Sequence, residues 1–281
     1  MISVEDRQAI VVAIQRALAE DIGPGDVTSE WTLEPERQAH GDFLVKEPGI
    51  IAGLEVVEEV YRQVDPAVRF SPLVADGTPV HAGDVVARVE GTAISLLSAE
   101  RVALNFLQRM SGIATMARRY VEAVQGQYAI ILDTRKTCPG LRVIDKLAVR
   151  LGGASNHRLG LYDMVLIKDN HIVAAGGITA AVRRVRARNS QGLPVEVEVT
   201  NLDELAEALV AGVDRILLDN MDLETLRRAV EMARGRVPVE ASGGITLENV
   251  AQVAATGVDY ISVGALTHSV KALDVSMDID A

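Results

Sequence analysis

The sequence predicts an α/β protein whose second half is an open or atypical parallel βα barrel of about six strands. Three observations predict it. After Gly126 short runs rich in Ile, Val and Leu alternate with helical patterns. From VEVEVT onward the runs recur roughly every twenty residues, the βα period of a parallel barrel or a doubly wound sheet. Each run also ends in, or leads straight into, a polar or glycine position, which points to the functional rim of a barrel.

Composition narrows the function classes. The chain has 281 residues, 28 Lys and Arg against 39 Asp and Glu, and a formal net charge of −11. That balance argues against nucleic acid, whose phosphates demand a broad basic face. No apolar run approaches the ~20 residues needed to cross a membrane. MISVEDRQAI lacks a signal-peptide pattern, and the single Cys138 excludes an internal disulfide and a cysteine-based zinc cluster. A cytoplasmic enzyme of small-molecule metabolism is expected.

In chain order, residues 3–20 should form an amphipathic helix, with Ser3 and Asp6 spaced as a capping pair and Ile10, Ile14, Ala17 and Leu18 on one face. EDIGPGDVTSE, with two glycines around a proline, reads as a loop. From His40 to about Leu97, short apolar runs cut by Pro-Gly, Asp-Gly and Ala-Gly-Asp predict strands and turns, interrupted by a helix near 54–63. Residues 98–126 are helical in pattern; Arg109 and Arg118 there are expected on a solvated face. Then come the six barrel strands YAIILD, MVLIKD, VEVEVT, RILLDN, VPVEAS and YISVGA, with helices LRVIDKLAVRL, ITAAVRRVRARN, LDELAEALVAG, LETLRRAVEMARG and LENVAQVAATG between them. Several of these helices close with Gly, as a left-handed C-terminal cap requires.

The polar strand ends are Asp133, Lys168, Glu198, Asp219, Ser242 with Gly243, and Gly264. Parallel strands covered on both faces should be almost wholly apolar, so polar residues recurring in phase mark a site. The stretch Asp133–His171 adds seven Lys or Arg against four Asp, a basic island on an acidic chain. It suits a small, strongly anionic ligand. Arg135, Lys136, His157, Arg158 and Lys168 supply an anion clamp, the arginines by paired hydrogen bonds and the lysines as point charges. The glycines of EASGGIT and YISVGAL offer backbone N–H groups near helix starts, a phosphate cradle. Glu198 and Asp219 are hard oxygen donors suited to Mg²⁺ held with a diphosphate, or to sugar hydroxyls. His157 beside Arg158 reads as a hydrogen-bonding group rather than a proton carrier, His171 as a structural contact, and Cys138 as no nucleophile.

The motifs DTRKT-x-PG-LR, GG-x-x-NHR-x-GL-x-D and LIKDNH, then E-V-E at 196–198, LLDN and SGGI, together resemble the quinolinate phosphoribosyltransferases, the decarboxylating nicotinate-nucleotide pyrophosphorylases of NAD biosynthesis. The resemblance extends to ED-x-G-x-GDVT at 20–28 and ER-x-x-LN at 100–105. It implies an N-terminal open α/β sandwich with a long connecting helix (1–126), an incomplete barrel of the type II phosphoribosyltransferases (127–265), and a C-terminal segment (266–281) returning to the first domain.

It also implies a homodimer with shared active sites, and leaves open whether the dimers assemble into a hexamer. Arg101 matches an arginine given to the partner's site. Arg135, His157, Arg158 and Lys168 match the quinolinate pocket, with Lys136 at the junction between substrates. Glu198 and Asp219 match the groups around the ribose and Mg²⁺ of phosphoribosyl pyrophosphate, and Ser242, Gly243 and Gly264 match the loops around its 5′-phosphate. Lys136, Lys168, Glu198 and Asp219 are the expected catalytic groups. Cys138, Leu147 and Ala154 depart from the common Thr, Tyr and Gly, which bears on pocket shape rather than on the reaction. A sibling phosphoribosyltransferase with another acceptor, as in the molybdenum-associated group, and a non-catalytic metabolite-binding barrel are the competing readings.

Overall fold

The computed structural model describes residues 4–280; Ser3, expected to cap the first helix, lies outside them. Two compact units form. One comprises the described parts of Met1–Arg118, Thr137–Gly153 and Ser269–Ala281, the other Arg119–Lys136 and Ala154–His268. This division differs from a cut at residue 126, because 137–153 packs within the first unit and the end of the long helix within the second.

The first unit opens with α1 (Val4–Asp21), α2 (Val27–Thr32), β1 (Gln38–Val45), β2 (Gly49–Ile50), α3 (Leu54–Val64), β3 (Arg69–Pro72), β4 (Pro79–Val80), β5 (Val85–Thr92) and the long α4 (Ala93–Ala123). Helix α2 corrects the loop reading of EDIGPGDVTSE. The Asp26 carboxylate accepts from the backbone N–H groups of Thr28 and Ser29, both at 3.1 Å, and Glu30 adds an acidic residue to the first turn. Helix α4 starts at Ala93, five residues before the expected Ser98, and buries Leu96, Ala103, Leu107, Met110, Ala114 and Ala117 along one face. On the sheet, Phe43 of β1 meets Tyr61 of α3 and Phe70 of β3 edge-on, with ring centroids 6.2 and 6.0 Å away.

Beyond α4 come β6 (Ile130–Leu132) and α5 (Arg142–Leu151), and then the regular part: β7 (Val165–Ile167), α6 (Asp169–Ala175), α7 (Ile178–Arg188), β8 (Val195–Val199), α8 (Leu202–Ala211), β9 (Arg215–Asp219), α9 (Leu223–Ala233), β10 (Val239–Ser242), α10 (Val250–Ala254), β11 (Tyr260–Ser262) and α11 (Ala265–His268). The six expected strands make one parallel sheet in the order β6-β11-β10-β9-β8-β7. Strands β6 and β7 are its two edges, so the barrel is incomplete. The last strand, β12 (Val275–Asp280), pairs antiparallel with β1 and completes the first unit's sheet, β12-β1-β5-β3.

Several local readings are corrected. After β7 there are two helices where one was expected. The Lys168 N–H donates to His171 Nδ1 (3.0 Å), which starts α6 at once, and Gly176 at φ 83° ends it. Helix α10 covers only part of LENVAQVAATG. The glycines that close LDELAEALVAG, LETLRRAVEMARG and LENVAQVAATG are left-handed as expected, with φ 71° at Gly212, 71° at Gly235 and 92° at Gly257. Arg109 and Arg118 are not on a solvated face. Arg109 is paired with the fully buried Asp145, and Arg118 Nε donates to the Gly152 carbonyl at 3.0 Å. Burial on α5 also takes Lys146 out of the basic island, and Arg150 of the same helix lies 3.9 Å from Asp6.

Candidate active site

A cavity of about 750 Å³ lies in the second unit at the C-terminal ends of the parallel strands. Ten of the eleven residues chosen from the sequence line it. Arg135 and Lys136 follow β6, His157 and Arg158 come from the segment before β7, and Lys168 follows β7. Glu198 is next to last in β8, Asp219 ends β9, Ser242 ends β10 with Gly243 just past it, and Gly264 follows β11. Arg101 does not line it; it is exposed on α4.

Asp133, fully buried just past β6, holds the cationic side in place. Asn156 Nδ2 donates to Asp133 Oδ2 (2.6 Å), and the His157 backbone N–H donates to Oδ1 (2.8 Å). Arg158 Nη1 donates to the Met164 carbonyl at 3.2 Å. Burial lowers the Arg158 pKa, and the nearby charge of Arg135 lowers it further. Two guanidinium groups crowded this way repel each other, and an anion between them relieves the repulsion.

Across the cavity Lys168 Nζ is ion-paired with Glu198. Asp219 Oδ2 accepts from Asn220 Nδ2 at 2.7 Å. Asn220 has φ 53°, the one positive φ outside glycine among the described residues, and its N–H donates to the Ser242 carbonyl at 2.9 Å. A Cβ on Gly243, itself at φ 93°, would lie 2.2 Å from Asn220 Oδ1. At Gly264 an added Cβ would come within 3.0–3.2 Å of His268 and Lys136. The absent side chains at 243 and 264 therefore let the loops close around Asp219 and Lys136. Glu198 and Asp219 bring two hard carboxylates to one wall, a donor set that fits Mg²⁺.

Beneath this rim is a charged cluster that the sequence reading missed. Glu196 and Glu240 are fully buried on β8 and β10. His157 Nε2 lies 3.2 Å from Glu196 Oε2 and 3.4 Å from Glu240 Oε1. Glu240 also pairs with Arg215 (3.2 Å) and accepts from the Ser262 hydroxyl, while the Arg215 guanidinium sits 4.1 Å from the Tyr260 ring centre. Burial pushes Glu196 upward; Glu240, whose burial is outweighed by His157, Ser262 and Arg215, is held low.

Burial works against a charge on His157, and the two glutamates outweigh it, lifting the ring to about 9. Against that balance stands the Arg158 backbone N–H, which donates to His157 Nδ1 at 2.7 Å and needs a lone pair there. The contact keeps a proton off Nδ1 and leaves Nε2 as the protonated nitrogen. His157, Glu196 and Glu240 have the residue types of a metal triad, but a ring with its proton on Nε2 offers a metal nothing at that atom.

The signal for these residues was present. A glutamate second in VEVEV, or second in VEAS, breaks the apolar rule for a parallel strand as plainly as one at its end. Asn220 was visible only as part of LLDN; its backbone conformation has no sequence signature.

Comparison with known proteins then bears on the whole chain. Residues 26–111 match the model of the quinolinate phosphoribosyl transferase N-terminal domain, and residues 113–278 that of the C-terminal domain. A Nicotiana glauca protein named quinolinate phosphoribosyltransferase [decarboxylating] 2, mitochondrial, is 47% identical over 95% of this chain and 81% of its own length. A Bacillus subtilis protein named probable nicotinate-nucleotide pyrophosphorylase [carboxylating] is 45% identical over 92% of this chain and 90% of its own. Among solved structures, the nicotinate-nucleotide pyrophosphorylase from Francisella tularensis superposes with a TM-score of 0.94 at 40% identity, covering 99% of this chain and 98% of that one.

Proposed function

The chain belongs to the quinolinate phosphoribosyltransferase family, and we propose from its cavity how it performs that family's reaction. The enzyme transfers the phosphoribosyl group of phosphoribosyl pyrophosphate to quinolinate with decarboxylation, giving nicotinate mononucleotide, pyrophosphate and CO₂. The observation that carries the residue assignment is the convergence of Arg135, Arg158 and Lys168 on one cavity whose opposite wall holds Glu198, Asp219 and the glycine loops.

In this reading Arg135 and Arg158 grip the two quinolinate carboxylates, with His157 and Lys168 beside them. The ring nitrogen's lone pair forms the bond to C1 of the ribose, and the C1–oxygen bond breaks with its electrons leaving on pyrophosphate. Lys136 and Lys168 stabilise that leaving charge, and Glu198 and Asp219 position the ribose and face the cationic character growing at C1. Substrate entry must exchange the Lys168–Glu198 pair for contacts to ligand. Ser242, Gly243 and Gly264 surround the 5′-phosphate. Glu198 and Asp219 would also hold Mg²⁺, which when bound neutralises diphosphate charge. Once the nitrogen is alkylated, the bond to the 2-carboxylate breaks, its electron pair passes into the pyridinium ring, and a proton takes its place at C2. The protein's main contribution is holding two anions in register.

Arg101, exposed on α4, suits donation to the cavity of a second copy in a homodimer. No helix among the described residues is long and apolar enough to cross a membrane; we place the enzyme in the cytoplasm.

The test is a reaction of purified protein with quinolinate, phosphoribosyl pyrophosphate and Mg²⁺, following nicotinate mononucleotide and CO₂ together. Equal appearance of both is expected. Pyrophosphate release only with another acceptor would move the chain to a sibling reaction, and binding without turnover would favour a non-catalytic barrel.

A further inference from the structure

We propose that Glu196 and Glu240 are positioning residues: they hold the His157 ring as its Nε2–H tautomer, and through that ring they fix Arg158 for quinolinate. The inference rests on the reading of this cavity as the quinolinate site. Its geometry is a short chain of contacts. Two buried carboxylates on β8 and β10 face Nε2 at 3.2 and 3.4 Å. The opposite nitrogen, Nδ1, receives the backbone N–H of the next residue, Arg158, at 2.7 Å. The ring is thus engaged at both ends, and turning it displaces the backbone that carries the Arg158 guanidinium. Asp133 steadies the preceding peptide by accepting the His157 N–H.

The two glutamates are not equivalent. Glu240 is anchored by Arg215 and Ser262. Apart from His157, whose Nε2 lies 3.2 Å from Oε2, no donor among the described residues reaches either carboxylate oxygen of Glu196. A buried carboxylate with a single donor is costly, and an apolar side chain would serve the sheet better. Scaffolding does not account for it, whereas attraction of Nε2–H does.

Full-length wild type, E196Q, E196D and E240Q would be compared by ¹⁵N-histidine spectroscopy without substrate and by steady-state kinetics for each substrate. Wild type should show His157 with an unprotonated Nδ1 and a protonated, hydrogen-bonded Nε2. In E196Q the Nε2–H signal should move toward that of a weaker hydrogen bond. The same variant should raise the quinolinate KM roughly tenfold, with the phosphoribosyl pyrophosphate KM and kcat nearly unchanged. E196D should recover part of the loss, and E240Q should repeat the pattern of E196Q. Unchanged Nε2–H and quinolinate KM in both Gln variants would overturn the proposal. So would equal rises for both substrates, a proton on Nδ1 in wild type, or coordination at Nε2 on titration with Zn²⁺. The spectroscopy does not depend on turnover. Wild type that makes no nicotinate mononucleotide would instead sink the reading of the cavity.

Discussion

Arg109 and Asp145 meet through two parallel hydrogen bonds, Nε to Oδ1 and Nη2 to Oδ2, each 2.8 Å long. Asp145 is wholly buried and also accepts the Cys138 N–H at 3.1 Å, so one carboxylate joins α4, α5 and the turn before α5. Replacing Arg109 with Ala leaves that carboxylate buried without its counter-ion. The expected loss is about 3 kcal/mol, the lower end for such pairs because Arg109 is itself part-exposed. Denaturant unfolding of R109A measures it, and a loss under about 1 kcal/mol would mean that Asp145 finds its compensation elsewhere.

Arg135→Ala should act on quinolinate alone. Removing a guanidinium that binds a carboxylate costs about 1.5–3 kcal/mol, which is roughly 10- to 100-fold in kcat/KM for quinolinate. The KM for phosphoribosyl pyrophosphate should stay near its wild-type value. A variant with both constants unchanged would remove Arg135 from the site.

Glu198→Gln and Asp219→Asn test the metal wall. Each should raise the Mg²⁺ concentration needed for half-maximal binding of phosphoribosyl pyrophosphate, read by calorimetry across a Mg²⁺ series. E198Q should also release Lys168 from its partner. Identical Mg²⁺ dependence in both variants and wild type would refute the assignment.

Gly243→Ala places a Cβ against the Asn220 side chain at a residue whose φ is 93°. Asn220 must move, and with it the amide that donates to Asp219. The expected result is a cost of about 1–3 kcal/mol in stability and a higher KM for phosphoribosyl pyrophosphate, with quinolinate binding spared. Calorimetric binding of the two substrates separates these effects, and an unaltered phosphoribosyl pyrophosphate affinity would contradict the role given to this turn.

Asp26 gives a pH-dependent prediction. Its carboxyl is held below the ordinary range, first by the Ser29 hydroxyl and next by the Ser29 backbone N–H. A depressed folded pKa means that the cap stabilises fully above the unfolded value and fades as pH falls through the folded one. D26A should therefore melt lower than wild type at pH 6, by about 1 kcal/mol in stability, and the gap should narrow below about pH 4. A gap that persists unchanged at pH 2.5 would show that the carboxylate charge is not what caps α2.

Much of this arrangement could be read directly from residues. Lys168, Glu198, Asp219 and Ser242 were legible because a polar group ending a buried strand has few places to go but the rim. Glu196 and Glu240 obey the same logic one layer lower, but the groups that meet them, His157, Arg215 and Ser262, come from distant parts of the chain that no local pattern joins. The partner of Arg109 was not legible at all: it sits 36 residues later on another helix, and no local pattern joins them. Helix α6 was hidden because its start depends on His171 accepting a backbone proton, a role that His rarely advertises. Asn220 was hidden because φ is set by the turn it completes.

The unclosed sheet has a consequence for how this architecture can change. Strand β6 ladders to β11 and β7 to β8, and beyond them the described residues add only one bridge, Leu132 to Ser155, on the open side of β6, so the barrel has a gap in its staves. The chain that runs between those two edges carries Arg135, Lys136, His157 and Arg158, whereas Asp219, Ser242, Gly243 and Gly264 belong to contiguous, fully laddered strands and their turns. Of the groups proposed to hold quinolinate, Arg135, His157 and Arg158 thus lie in an insert between the edges and Lys168 at the end of β7, whereas those proposed to surround the 5′-phosphate lie in the frame. Exchanging that insert is the route by which such a frame would acquire a new acceptor while keeping its sugar-phosphate donor.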